Sequence, residues 1–331
     1  MLEHGGNLRA AARAFGRPVQ DWVDLSAGLN PHWYRASALA LDDNAWHRLP
    51  EADDALLRAA CAFYGAPGML AVAGTQAAIQ ALPHLRAPSN VVVAAPSYAE
   101  HAHHWGRHGH TLRQVPYADL EAAVDHCDVL VVCNPNNPTG ATVSAATLLD
   151  WAGRLAARRG WLIVDEAFAD TAPLNSVAAH SAQPGLIVLR SLGKFFGLAG
   201  VRVGFVGAEA SLLMALADWL GPWTISGPAQ QLARAALEDI PWHYATRATL
   251  QQQGERLRAL LATHRIASNG TDLFQWWPET QASAFHLHMA ERGIWVRLFT
   301  QASHGIRLGL PPDDNAWRRL AQALTEWTRS R

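Results

Sequence analysis

Between residues 53 and 206, short β-branched runs alternate with amphipathic stretches of helical period, and this alternation limits the fold more than any other feature of the chain. The runs lie at 91–93, 129–133, 162–164, 186–189 and 201–206, and the helical stretches include 54–63 and 145–159. Parallel strands joined through helices need crossover connections, so the pattern predicts an α/β fold with a mostly parallel sheet covered on both faces. In such a sheet ligands gather beyond the carboxyl ends of the strands. After Gly221 the order changes to a long helical stretch over 228–261, short strands and a closing helix over 313–331, which predicts a smaller α+β domain. The expected division is an N-terminal segment, 1–45, joining the small domain, a large domain over 46–222 and the small domain over 223–331.

With half of its 331 residues apolar, the chain can bury a sizeable core, and a net charge of -1 gives no broad field to attract nucleic acid or anionic lipid. No apolar stretch approaches the roughly 20 residues of a membrane span. The start, Met1 to Asn7, has neither a basic nor an apolar leader region, so the cytoplasm is the expected compartment. Cys61, Cys127 and Cys133 are odd in number and form no Cys-x-x-Cys pair, which argues against a disulfide framework or a zinc site.

Of the 27 basic residues, 26 are arginine and one is lysine, Lys194. A guanidinium cannot replace an amine that must lose its proton, so chemistry of that kind has one address in this chain. Lys194 follows an apolar run in Ser191-Leu192-Gly193-Lys194, with Arg202 eight residues further on. An aldehyde cofactor needs a lysine that is neutral when it attacks, and partial desolvation beside cations lowers an amine's pKa. Ser191 and Arg202 are spaced to reach an anchoring phosphate. The ordinary alternative is a solvated surface lysine.

Three further segments follow β-rich runs. Trp161 to Phe168 delivers Asp165, a carboxylate suited to a pyridinium nitrogen, or else a helix N-cap. In Asn134-Pro135-Asn136-Asn137-Pro138-Thr139-Gly140 the prolines and glycine stiffen a loop that projects the amide of Asn137, a donor suited to a phenolic oxygen, although Asn-Pro pairs also make simple turns. Gly74, Thr75 and Gln76 form a glycine turn into a helix, an arrangement that offers backbone N–H groups to phosphate but is common elsewhere. Tyr98 is placed to stack on a planar ring or equally to pack in the core. Arg297 and Arg307 lie in short β-rich segments, where forked guanidinium groups match carboxylates and phosphates. The run His101, His103, His104, His108 and His110 raises a metal reading through His104 and His108. No carboxylate or cysteine pattern completes such a site, a solvated helix is simpler, and no metal is expected.

These motifs, in this order and spacing, resemble the aminotransferase class I/II family of fold-type I pyridoxal-phosphate enzymes across nearly the whole chain. The segments His4–Asn7, 24–31, 165–168 and 189–192 look like its branch that decarboxylates L-threonine O-3-phosphate. The resemblance implies pyridoxal 5'-phosphate as cofactor, a homodimer, and release of (R)-1-aminopropan-2-yl phosphate for cobalamin biosynthesis. By carry-over, Lys194 holds the cofactor and acts as acid or base, Asp165 meets its pyridine nitrogen, Asn137 its phenolic oxygen and Tyr98 its ring face. Gly74, Thr75, Gln76, Ser191 and Arg202 hold its phosphate, Arg307 the substrate carboxylate and Arg297 the substrate phosphate, while His4 and Asn30 close over the substrate.

The chain departs from the family at two points. Phe168 stands where the transaminases usually carry a tyrosine, a change shared with the decarboxylating branch, and Arg48-Leu49-Pro50 stands where dimeric relatives tend to have Arg-Tyr-Pro. Two alternatives stay open: an aminotransferase for a phosphorylated amino substrate, similar to the histidinol-phosphate enzymes, and a weakly active cofactor-binding scaffold.

Overall fold

The computed structural model describes residues 5–35, 41–300 and 303–329. The chain divides into two compact units, a larger one of Trp33–Asn137 and Ala141–Ala245 and a smaller one of Met1–His32, Pro138–Gly140 and Thr246–Arg331. The larger unit runs on to Ala245, beyond the boundary expected at 222, because the helix Gly227–Glu238 packs on the helix Asp54–Tyr64.

The larger unit is built on a seven-stranded sheet: β1 Met69–Val72, β2 Asn90–Ala95, β3 Thr111–Pro116, β4 Val129–Cys133, β5 Trp161–Asp165, β6 Leu186–Ser191 and β7 Gly204–Gly207. Their spatial order is β1-β7-β6-β5-β4-β2-β3, parallel throughout except that β7 runs antiparallel to both its neighbours. All of β4 is buried, as are four of the five residues of β5 and five of the six of β6, which is why these strands read as unbroken apolar runs. The core on one face gathers Val91, Val93, Val129, Val131, Ile163, Ile187 and Leu189 under the helices Thr75–Ala81 and Ala210–Leu220.

Two local differences from the sequence pattern have physical causes. β3 is an edge strand whose Thr111, Arg113 and Gln114 face solvent, so it carries no apolar run. The run at 201–206 becomes strand only from Gly204, because Ala199–Val201 is a short 3₁₀ turn and Arg202 adopts a left-handed conformation with φ 60° and ψ 50°.

In the smaller unit, Val23–Asp24 pairs in parallel with Ile294–Trp295. Beside this pair a four-stranded antiparallel sheet has the order Arg297–Phe299, Gly305–Gly309, Phe274–Pro278, Asn269–Thr271. The helical stretch expected over 228–261 is two helices, Gly227–Glu238 and Ile240–Thr263, separated by Asp239, whose carboxylate accepts the backbone N–H of Trp242. Among the described residues no helix is long and apolar enough to cross a membrane.

Candidate active site

Asp165 is the last residue of β5 and is buried at the carboxyl end of the sheet. Its Oδ2 lies 2.9 Å from Nε2 of His101, which enters from the helix Ala99–Arg107, and its Oδ1 accepts the backbone N–H of Ala167. Burial works against the imidazolium of His101, but the hydrogen bonds and negative charge offered by Asp165 and Cys133 outweigh it and push its pKa up to about 10. The imidazolium is thereby favoured on one carboxylate edge, and the other edge is held by the chain turn at Ala167. His101, Cys133 and Asp165 converge closely enough to hold a cation, yet the 2.9 Å bond already joins two of the three donors. Of the histidines weighed for metal, His104 bonds Glu100 and His108 bonds the backbone oxygen of His104.

Lys194 follows β6 by three residues and is half-buried, with Nζ 5.3 Å from the ring centroid of Phe168. Phe168 in turn follows Asp165 by three residues, so the loops leaving the adjacent strands β5 and β6 meet here. Behind them Arg190 is buried and forms ion pairs with Glu166 and Asp170, while its guanidinium packs 4.4 Å from the ring centroid of Tyr64. Glu166 also accepts from Ser176 Oγ and from the N–H of Val177. This ionic knot ties the strand ends that carry Asp165 and Lys194, and sequence reasoning missed it because its members lie up to 24 residues apart.

On the far side of β6, the guanidinium of Arg202 packs against Gly74. A Cβ at position 74 would lie 2.6 Å from Arg202 Nη2, and Gly74 has φ +71°, so only glycine fits without displacement. Thr75 approaches just as closely, its N being 2.7 Å from where a Cβ on Gly204 would stand. Ser191 ends β6 and accepts the N–H of Gly193. The amide of Gln76 is engaged by its neighbours: Nε2 donates to Glu100 at 2.8 Å, and Oε1 accepts from Tyr98 at 3.2 Å. What Gln76 has left for an anion is its backbone N–H, which stands in the first turn of a helix where no intrahelical acceptor exists. Burial, and next the charge of Glu100, push the pKa of Tyr98 up to about 12, so this hydroxyl stays protonated.

The loop after β4 is held by its own asparagines. Asn134 exchanges hydrogen bonds with the backbone of Val143 at 3.0 and 2.9 Å, and Asn136 donates to the carbonyl of Pro96 at 2.9 Å. Half-buried Asn137 stands between these fixed points.

The smaller unit holds a cationic cluster of its own. Arg297 and Arg307 are direct cross-strand partners, and like charges placed opposite each other destabilise a sheet unless an anion joins them. Arg307 is buried, donates to the carbonyl of Ser26 at 2.7 Å, and has its pKa lowered to about 9 by burial and then by Arg297, against the opposing pull of Asp24. Its guanidinium lies 5.3 Å from the ring centroid of Phe274. Asn30 is buried in the same unit, with Oδ1 accepting the N–H of His32. His4 lies outside the described residues.

A partly desolvated amine, a buried carboxylate backed by a histidine, and an arginine laid against a glycine turn are groups whose chemistry could hold an aldehyde, a ring nitrogen and a phosphate, the three handles of pyridoxal phosphate. Carried at the strand ends of a mostly parallel sheet, they define a fold-type I enzyme of that cofactor. The chain belongs to the aminotransferase class I and II family, whose model matches residues 20–324. It is 50% identical to the threonine-phosphate decarboxylase of Pseudomonas aeruginosa, over 98% of this chain and 97% of that one. It is 42% identical to the threonine-phosphate decarboxylase of a Sinorhizobium species, again over 98% and 97%. Among solved structures, the histidinol-phosphate aminotransferase of Sinorhizobium meliloti in complex with pyridoxal-5'-phosphate shares the fold with a TM-score of 0.84. That match covers 99% of this chain and 96% of that one at 23% identity.

Proposed function

We propose that this protein is a pyridoxal-phosphate-dependent decarboxylase that converts L-threonine O-3-phosphate to (R)-1-aminopropan-2-yl phosphate and carbon dioxide, for cobalamin assembly in the cytoplasm. The observation that carries this reading is the 50% identity over nearly the whole chain to a threonine-phosphate decarboxylase. The opposed Arg297 and Arg307, which suit a substrate bearing two anionic groups, support it.

When bound, the cofactor supplies an electron sink for the bond broken at the α-carbon. Lys194 would hold the cofactor through its amine and, with substrate bound, would move a proton at the α-carbon. Asp165, oriented by His101, would meet the pyridine nitrogen of the cofactor. Asn137 donates to the phenolic oxygen and Tyr98 lies against the ring. Backbone N–H groups of Gly74, Thr75 and Gln76, with Ser191 and Arg202, take the phosphate. Arg307 would take the substrate carboxylate and Arg297 its phosphate, with Asn30 as a further substrate contact. As the carboxylate leaves as carbon dioxide, Lys194 would supply the proton that takes its place on the α-carbon. Phe168 in place of a tyrosine withholds a hydrogen bond from the phenolic oxygen, in keeping with the decarboxylating branch.

The working unit is a homodimer on this reading. Exposed Trp46 and Trp223, with Ala45, Arg48, Pro50 and Pro228, line an apolar groove of the larger unit, and Leu49 beside it is 64% exposed. Sedimentation of wild type and Leu49→Glu tests this, with a dimer expected for the first and a shift toward monomer for the second.

Incubation of the holoenzyme with threonine phosphate tests the activity. Carbon dioxide released without any keto acid is the expected result. Turnover that depends on 2-oxoglutarate would instead identify an aminotransferase, and cofactor uptake without turnover of either kind a scaffold.

A further inference from the structure

Glu100 belongs to no motif singled out in the sequence, yet it takes part in a run of side-chain hydrogen bonds that reaches Tyr98. Tyr98 Oη donates to Gln76 Oε1 at 3.2 Å, Gln76 Nε2 donates to Glu100 Oε2 at 2.8 Å, and His104 Nε2 lies 3.1 Å from the same carboxylate oxygen. The side chains of Glu100 and His104 are 12% and 13% exposed, so water competes little for these bonds.

The direction of these bonds follows from the carboxylate. The atom of Gln76 that faces Glu100 is the donor Nε2, and the carboxylate oxygen accepts from it. The amide is planar, its oxygen is thereby turned to Tyr98, and the tyrosine has to donate. Were Glu100 absent, Gln76 could rotate by half a turn and present N–H to the phenol, releasing the tyrosine proton for another acceptor.

We propose that Glu100 is a positioning residue of the cofactor site, which acts through Gln76 to hold the Tyr98 ring and to commit its hydroxyl proton away from the cofactor. The inference rests on the reading that Tyr98 lies against the cofactor ring. His104 supports the arrangement through a second bond to the same carboxylate oxygen. Glu100 and Gln76 thus serve orientation, and the anion-binding turn keeps only the backbone of Gln76.

The test uses holoenzyme at full cofactor occupancy, with visible circular dichroism of the bound cofactor as the readout of ring orientation, beside steady-state kinetics. Glu100→Ala is expected to lose dichroic intensity and about fivefold in kcat/KM, the worth of one net hydrogen bond. Glu100→Gln, which still offers Gln76 an acceptor, is expected to restore both. In a Tyr98→Phe background, Glu100→Ala is expected to add nothing, since the two changes then act on one chain. Gln76→Leu, which cuts the chain at its middle, is expected to reproduce the dichroic loss and serves if Glu100→Ala does not fold. A Glu100→Ala or Gln76→Leu enzyme with wild-type dichroism overturns the proposal, as does an effect of Glu100→Ala that persists undiminished without the Tyr98 hydroxyl. A wild-type protein that takes up no pyridoxal phosphate overturns the underlying reading before any variant is compared.

Discussion

Asp165 Oδ2 and His101 Nε2 stand 2.9 Å apart with both side chains buried, so the carboxylate at the end of β5 is backed by a cation from a helix 64 residues earlier in the chain. The His101 pKa is raised from an ordinary 6.5 to about 10. A group raised in this way contributes its stabilisation in full below the ordinary value and loses it as pH rises through the folded value. The cofactor-free protein is therefore expected to lose stability between about pH 6.5 and pH 10, and His101→Phe to lack that decline. Urea unfolding across this range checks the expectation, and equal declines in the two proteins would contradict it.

Arg190 compensates two buried carboxylates, those of Glu166 and Asp170. Arg190→Leu removes the guanidinium from both and is expected to cost about 3–5 kcal/mol of folding stability, the range seen when a buried ion pair loses one partner. Denaturant unfolding measures it, and a loss under about 1 kcal/mol would show that the strand ends are held by packing instead.

Gly74 is fixed by two independent constraints, the Arg202 guanidinium and its own φ of +71°. In Gly74→Ala, Arg202 has to move, and the affinity for pyridoxal phosphate is expected to fall about tenfold, near 1.4 kcal/mol. Fluorescence titration of the apoenzyme reads this directly. A variant that binds cofactor as wild type does would remove Arg202 from the phosphate site.

The cross-strand pair Arg297 and Arg307 is expected to bind anions even without substrate. With the cofactor phosphate site filled, inorganic phosphate should raise the melting temperature of the wild-type holoenzyme but not of the Arg297→Ala holoenzyme. The same variant is expected to lose about 10- to 100-fold in kcat/KM for threonine phosphate, the worth of a charge-assisted hydrogen bond. Unchanged kinetics would place the substrate phosphate elsewhere.

Much of this was legible in the sequence where burial is uniform. β4 reads directly as 129–133 because every residue in it is buried, and Asp165 and Lys194 could be placed at strand ends because their segments follow such runs. β3 was not legible, since an edge strand with Arg113 and Gln114 exposed carries no apolar period. The turn at Arg202 was hidden because its left-handed backbone falls inside an apolar-looking stretch. His101 sat in a histidine-rich run that spacing alone reads as a solvated helix, and only the fold shows that it points inward to a carboxylate. Glu100 and the ionic knot around Arg190 likewise depend on contacts between segments that no local pattern announces.

The central claim is that the one lysine of this chain carries the cofactor. Borohydride treatment of the holoenzyme makes the amine–aldehyde linkage permanent, and peptide mapping then locates the pyridoxyl group. The expected result is a single labelled peptide containing Lys194 in wild type and no label in Lys194→Ala. A labelled Lys194→Ala protein, or wild type labelled at its amino terminus alone, would contradict the account.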